Sequence, residues 1–459
     1  MRQPKKPPST AQVLANFNVA MMQRGAQESV REVIDRANDE AWNYEECGYR
    51  TPPQLTRIEF WTLVKMSRMA DWRATPLLDK RGQPFTYALP AAADRVLHLA
   101  DKEMAGSIAT STPELEASES RIRYIARSLS EEAIASSQIE GAAVTREDAK
   151  RMLREEREPR TEGERMVMNN YRTIRMVNDR RNEAMTPELL CEIQRSLTAE
   201  TLKKPEQGGR FRRKDEDISI WDDEDNEVVH TPPNADELPN RIGALCAYAN
   251  TRDDPTVAGQ FTHPVIRAII LHFWVGYDHP FADGNGRTAR ALFYWSMLRS
   301  GYWLAEYLTI SEIIRGQPKQ YARAYLDTEL DDNDLTYFIV YHLGVLERSL
   351  KAFRHYLERK ATERVRLAAT LSAARYNSRQ RDILSRAVRD ATATWTFKSH
   401  GREHSVTLQT ARTDLLGLEE LGLLNGNRVG RRFEFVPAPD IAEVLRRLAT
   451  PTRPGKRKA

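Results

Sequence analysis

Cysteine is scarce in this chain: 459 residues hold three, Cys47, Cys191 and Cys246. They stand far apart with no metal-ligand spacing, which argues against a disulfide framework or a cysteine zinc site and for a reducing, cytoplasmic setting. Long apolar runs are missing as well. The N-terminal MRQPKKPPSTAQ is basic and proline-rich but leads into no continuous apolar stretch. It reads as a disordered tail, neither a secretory signal nor a membrane anchor, and no membrane partner is expected. Alternating β-branched runs are sparse, and no internal repeat stands out. Charge of one sign is not in large excess: 69 Lys+Arg against 65 Asp+Glu leave +4. That small excess is uneven, because residues 361–459 carry +9 and the 360 residues before them −5. The basic end favours a polyanionic partner, with a solvated surface as the plainer reading.

What the chain does have is helical periodicity, with apolar residues recurring at three and four positions. The length suits two or three domains. Residues 119–140 put Ile122, Ile125, Leu129 and Ala133 on one face, and Gly141 supplies a stop. Glu140 then ends a helix, where the dipole disfavours a carboxylate, so a nearby cation is expected. Helices are expected over 185–200 and 235–251. Between them Ile218, Ile220, Val228 and Val229 flank an acidic turn, an exposed hairpin closed by Pro232-Pro233. Two apolar helices, 264–274 and 287–298, bracket the polar loop DHPFADGNG. Further helices reach about residue 365, and 368–377 reads as a linker. The C-terminal segment gives helices near 378–390 and 397–403 and a third from Thr407. In LLNGNRVGRRFEFV, two short strands about the NGN turn complete a helix-turn-helix with a β-wing.

The chemistry concentrates in His279-Pro-Phe-Ala-Asp-Gly-Asn-Gly-Arg-Thr-Ala-Arg290. Gly284 and Gly286 free the backbone to turn N–H groups inward, and a helix starting near Arg287 adds its positive end, which makes an anion cradle suited to phosphate. Arg287 and Arg290 share a helix face and can grip a polyphosphate. Asp283 is the one carboxylate of the loop, placed to complete a Mg²⁺ shell beside phosphates. Pro280 is expected to push His279 into an extended conformation, aiming an imidazole that titrates near neutrality, a general base. A metal-dependent phosphohydrolase using His263, His272, His279 and Asp278 is the competing reading, disfavoured because no second His/Asp cluster completes a shell.

These residues match the signature HPFxDGNGRxxR of the Fic family at every specified position, and the chain resembles that family over roughly residues 95–350. Ser136-Ser-Gln-Ile-Glu140-Gly141 is similar to the family's inhibitory motif [ST]xxxE[GN]. The resemblance implies a Fic helical bundle at 95–355 with a short β-hairpin flap, so the chain is expected to be mainly α. An N-terminal helical extension (1–94) precedes the bundle; a helix end and linker (356–376), a winged helix-turn-helix (377–450) and a basic tail (451–459) follow. It implies AMP transfer from ATP to a Ser, Thr or Tyr hydroxyl of a target protein, with His279 as base and Gly284, Asn285, Gly286, Arg287, Arg290 and Tyr321 on the nucleotide. Asp283 would hold Mg²⁺. Glu140, with Ser136 and Gly141, would restrain Arg290, and the same glutamate could serve the reverse removal of AMP. GGRFRR, the hairpin and HTPP look like the flap that holds a target strand. Expected partners are ATP, the target protein and a second copy of the chain. A reading of another class is a nucleotide-sensing regulator that touches DNA through Gln409, Thr410, Arg412 and Thr413 on the helix capped by Thr407 and through Arg428, Arg431 and Arg432 on the wing.

Overall fold

A computed structural model describes residues 4–105, 118–216, 218–222, 227–251, 261–373, 376–389, 393–429 and 432–449. Helix dominates them, and the strands form three separate two-stranded antiparallel pairs, so the fold is mainly α. Two compact units divide the chain, Met1–Phe353 and Arg354–Ala459.

The first unit opens with α1 (Thr10–Asn16), α2 (Val19–Gly25), α3 (Glu28–Asp39), α4 (Tyr44–Tyr49), α5 (Arg57–Met69), the hairpin β1 (Arg73–Leu78) and β2 (Pro84–Tyr87), and α6 (Ala91–Ala100). Next come α7 (Ser118–Ile139), α8 (Arg146–Arg154), α9 (Glu162–Asp179), α10 (Pro187–Leu197), β3 (Ile220–Asp222), β4 (Glu227–His230) and α11 (Leu238–Asn250). It ends with α12 (Pro264–Asp278), α13 (Asn285–Arg299), α14 (Ile310–Arg315) and α15 (Pro318–Leu330), while α16 (Thr336–Ala373) crosses the division.

α12 and α13 pack against each other at the centre of this unit. PVIRAIILHFWVGY is apolar on every side, and such a helix has to be enclosed; Val265, Ile266, Ile270 and Phe273 are fully buried. Pro264 stands at its start, where a missing N–H costs nothing. α13 is enclosed in the same way around Leu292 and Trp295. Arg287 and Arg290 are therefore carried into the interior, where each must find a partner.

The first 94 residues differ from expectation in two ways. The tail read as disordered through Gln12 is helical from Thr10, because Ser9 and Gln12 close a capping box. A β-hairpin, Arg73–Tyr87, also interrupts the helices. Trp42 and Trp61 are core anchors, packed with Val30, Phe60, Val64 and Tyr337. This block is clamped to the α15–α16 corner by a buried charge cluster. Lys65 Nζ lies 2.7 Å from Asp331 and 3.1 Å from Asp334, and Arg68 lies 3.1 Å from Asp334. Lys65→Met would leave two buried carboxylates sharing one cation, so it is expected to lower stability by about 3–5 kcal/mol, measured as a drop in urea midpoint.

Two further expectations are corrected downstream. The linker read at 368–377 is helical as far as Ala373; the segment ATERVRLAATLSA is alanine-rich and free of Gly and Pro, and alanine sustains a helix even where the apolar pattern fades. In the second unit, α17 (Ser378–Arg389), α18 (Phe397–Glu403) and α19 (Leu408–Glu420) precede β5 (Leu424–Val429), β6 (Arg432–Pro437) and α20 (Ile441–Ala449). Asn425-Gly-Asn427 is strand rather than turn, since Gly426 pairs with Phe435 and the register runs on to Val429 opposite Arg432. Ile383, Leu384, Trp395, Leu415, Leu418 and Phe435 form the core of this unit. Residues 451–459 and Arg431 lie outside the described residues. Cys47, Cys191 and Cys246 are all free thiols. Among the described residues no helix is long and apolar enough to cross a membrane.

Candidate active site

His279 is set by the end of α12. Its backbone N–H donates to Val275 O at 3.0 Å, and its φ of 44° and ψ of 56° are left-handed. The extended conformation expected from Pro280 is not adopted. The chain must turn off a buried helix at once, and a left-handed cap does this while still avoiding the αR region that proline disfavours in its predecessor. Histidine tolerates that region better than most residues. Nδ1–H donates to Gly276 O at 2.9 Å; a carbonyl only accepts, so Nε2 keeps the lone pair. Burial pushes the imidazole down to about 4, against the opposing pull of the Gly276 carbonyl. It is thus neutral across the physiological range instead of titrating near neutrality, which is the state a general base needs.

The loop from His279 to Arg287 is braced internally. Asn285 accepts from Phe281 N–H at 2.9 Å and donates to Phe281 O at 2.8 Å, so its amide serves the loop's shape. Gly284, at φ 83°, turns the chain into α13, and Thr288 Oγ donates back to its carbonyl at 2.8 Å. Arg287 donates to Leu197 O at 3.0 Å and reaches Asp283 at 3.5 Å. The Asp283 carboxylate is 52% exposed at the loop's mouth, with Oδ1 accepting from Gly284 N–H. One open carboxylate beside a phosphate cradle suits Mg²⁺, which takes one or two protein oxygens and fills its shell with phosphate and water.

Glu140 lies on this cradle. A Cβ at position 286 would fall 2.3 Å from Glu140 Oε1, so only glycine there lets the carboxylate come down onto the start of α13. Arg290 donates to Glu140 at 2.9 Å, to Ser136 Oγ at 2.9 Å and to Ser136 O at 3.0 Å. This is the cation that a carboxylate at a helix C-terminus calls for. Burial works against the Glu140 charge, yet Arg290, helped by Arg287, holds the carboxyl below its usual range. Gly141, at φ 87°, ends the helix turn behind it. The anion cradle thus already holds an anion, supplied by the chain itself.

Tyr321 is half-buried, its hydroxyl 2.8 Å from His272 Nε2 and 3.5 Å from Tyr325. His263, His272 and His279 have separate partners, Asp101, Tyr321 and Gly276 O respectively, and do not converge on a metal. In the second unit Thr407 caps α19 through Thr410 N–H at 3.2 Å. Gln409, Arg412, Thr413 and Arg428 are exposed, and Arg432 is described only as a backbone position in β6. His272 and His342 are buried and His279 is half-buried, with pKa values depressed chiefly by desolvation, to about 4 for His279 and about 3 for His342. A depressed folded value means the unfolded chain binds protons first as pH falls below about 6.5, so stability present above that pH is lost toward the folded values. Each histidine is expected to cost about 2 kcal/mol between pH 7 and pH 5, read as a falling urea midpoint.

Four residues outside the signature loop support the site. Arg212 donates to His279 O at 2.9 Å and to Pro233 O, and its backbone N–H donates to Pro280 O at 2.9 Å. His230, at the root of the β3–β4 hairpin, bonds Tyr277 O and Glu329, each at 2.8 Å. Gln194 joins Asp283 O, at 3.0 Å, to Gly209 N–H. Buried Glu132 accepts from Ser311 N–H at 3.0 Å and from Ser311 Oγ, fastening α7 to α14. Of these, Arg212 and His230 fall within GGRFRR and HTPP, the segments that look like a flap, and Glu132 stands four residues before Ser136 and eight before Glu140, on the same helix face; Gln194 carries no such signal.

Residues 184–297 match the Fic/DOC family profile. The chain is 27% identical over 173 residues to protein adenylyltransferase Fic of Nematostella vectensis, covering 38% of this chain and 35% of that protein. It is 33% identical over 101 residues to the Drosophila melanogaster protein of the same name, covering 21% and 17%. The match thus spans about a third or less of these relatives' own length. Among solved structures, a Fic family protein from Desulfovibrio desulfuricans G20 aligns at TM-score 0.49 and 19% identity over 75% of this chain and 95% of that one. Fic-1 (residues 134–508) of C. elegans aligns at 0.47 and 16% identity over 77% and 92%. The matched segment, residues 184–297, takes in the loop from His279 to Arg290 and the two helices that hold it, so this part of the chain is similar to the Fic/DOC family.

Proposed function

We propose that the chain transfers AMP from ATP to a Ser, Thr or Tyr hydroxyl of a protein, itself included, and that Glu140 restrains the transfer. The observation that carries this reading is the Glu140 carboxylate on the start of α13, paired with Arg290 at 2.9 Å beside a neutral His279. An internal anion held on a phosphate cradle supports both a phosphate ligand and competition for it. The adenylyltransferase names of the relatives agree.

With the carboxylate withdrawn, the N–H groups at the start of α13 and the guanidinium groups of Arg287 and Arg290 are available to the polyphosphate. His279 Nε2 takes the proton of the target hydroxyl, the oxygen bonds to the α-phosphorus, and the bond to the bridging oxygen of pyrophosphate breaks as pyrophosphate leaves. Asp283 would hold Mg²⁺, which supplies charge neutralisation on the phosphates. The Arg290 pairing favours restraint over the removal reaction, in which Glu140 would face a water. The test is intact-mass spectrometry of the full chain with ATP and Mg²⁺ as wild type, Glu140→Gly, and Glu140→Gly/His279→Ala. An AMP-sized increase is expected in Glu140→Gly alone, and no increase in Glu140→Gly, on itself or on any added protein, would overturn the reading.

We read the second unit as a winged helix, supported by its α17–α19 order, the β5–β6 hairpin and the Thr407 cap. DNA contact by this unit is secondary to the proposal: Arg412 lies over the Phe397 ring at 6.0 Å and Thr413 Oγ donates to Gln409 O at 3.0 Å, so two of the expected reading side chains already have partners within the unit.

A further inference from the structure

His230 ends β4 with both ring nitrogens engaged. Nε2 lies 2.8 Å from Tyr277 O, two residues before His279, and Nδ1 lies 2.8 Å from a Glu329 carboxyl oxygen. A carbonyl only accepts, and so does an ionised carboxyl. A neutral imidazole has one N–H and can serve one of the two; its other nitrogen would then turn a lone pair on an oxygen lone pair. Both contacts are hydrogen bonds only when the His230–Glu329 pair holds one proton more than a neutral ring beside a carboxylate. The Glu329 side chain is 23% exposed and the ring 5%, so water still reaches the carboxylate, and of the two the imidazole is the stronger base. The proton belongs on the ring, which then donates on both sides.

The position suits a cation. Tyr277 O is among the last carbonyls of α12, at the negative end of the helix dipole. Of the other charges about this root, Arg212 on His279 O and Pro233 O and Lys80 on Thr231 O are cations, and Asp278 is matched by Arg241 at 2.6 Å. Glu329 is the anion that offsets the ring. A cation here also agrees with the neutral His279, whose lowered value has His230 among its causes.

Glu329 arrives on α15, where residues 321, 325 and 329 share one face. Tyr321 lies 2.8 Å from His272, and the Tyr325 hydroxyl fills the space that a Cβ at Gly276 would need. Gly276 is the residue whose carbonyl orients His279. The opposite face of α15 is fixed independently. Arg323 pairs with Asp327 at 3.0 Å and with Glu45 at 2.7 Å, and Asn43 donates to Asp327 at 3.0 Å. These bonds hold α15 in place whatever stands at position 329.

Resting on the AMP-transfer reading, we propose that Glu329 is a positioning residue for the transfer. By keeping both His230 nitrogens protonated it fixes the last turn of α12, and with it His279 Nε2, to the root of the hairpin.

The experiment uses the full-length chain with ¹⁵N-labelled histidine for NMR and the Glu140→Gly chain with ATP and Mg²⁺ for rates of transfer, followed by mass spectrometry. The His230 ring is identified by its loss in His230→Gln. At pH 7 it is expected to carry protons on both nitrogens, and in Glu329→Gln to lose the one on Nδ1. Glu140→Gly/Glu329→Gln is expected to transfer AMP about tenfold more slowly than Glu140→Gly. The loss falls on kcat, with KM for ATP and ATP-induced thermal stabilisation kept, because the pair acts on the end of α12. A neutral ring in the wild type, a ring unchanged by Glu329→Gln, or an unchanged rate overturns the proposal. Loss of ATP-induced stabilisation together with the rate overturns it too, since Glu329 would then hold the fold at large and not the histidine. Absence of transfer in Glu140→Gly overturns the AMP-transfer reading, and the proposal falls with it.

Discussion

Replacing His279 by alanine in the Glu140→Gly chain is expected to slow AMP transfer by roughly 10²–10⁴-fold, the contribution of a positioned general base, with ATP affinity little changed. Only Nε2 has a lone pair to offer, because Nδ1–H is held on Gly276 O at 2.9 Å. Burial keeps the imidazole neutral down to about pH 4, so the transfer rate is expected to stay flat from pH 8 to pH 5. A titration near 6.5, as for a solvated histidine, would contradict the buried geometry. Bound ATP brings negative charge and shifts this limb upward, whereas removing Glu140, whose charge raises the histidine's value, shifts it downward. The check is a pH profile of initial rates with and without saturating ATP.

Glu140→Gly is the largest gain expected. Arg290 has its carboxylate partner at 2.9 Å and two further bonds to Ser136. Removing the carboxylate leaves the guanidinium on Ser136 but frees the hydrogen bond directed at Glu140. A charge-assisted hydrogen bond redirected to phosphate is worth about 1.5–3 kcal/mol, or about 10- to 150-fold in rate. A buried cation that loses its counter-charge also costs stability, so the variant without nucleotide is expected to melt below wild type and to recover more than wild type does when ATP is added. Thermal melts with and without ATP read this directly. Equal ATP-dependent shifts in the two proteins would show that Glu140 does not compete for the nucleotide's site.

Much of this was legible in the chain because the chemistry is local. His279, Asp283, Gly284, Gly286, Arg287 and Arg290 fall in one loop and the first turns of one helix, and local backbone chemistry suffices to bring their roles together. The dipole argument at Glu140 called for a cation without naming it, and the family motif supplied Arg290. The conformation of His279 was misread because pre-proline preference speaks against αR and cannot choose between an extended exit and a left-handed cap. That choice is made by Val275, whose carbonyl accepts the capping N–H. Its protonation was misread because a sequence does not reveal that the imidazole is desolvated. Residues 368–373 were misread because apolar periodicity weakens there while helix propensity does not.

By itself, then, the sequence determined most of the helices, the loop and the kind of ligand the loop is suited to: periodicity, glycine placement and charge act over a few residues, within reach of reading. Only the tertiary structure decided that Arg290 takes its partner from α7, 150 residues away, that His279 is neutral, and that Arg212, Gln194 and His230 brace the loop through backbone carbonyls. A carbonyl is the same at every position in the chain, so which one a buried arginine or histidine will meet is set by packing alone.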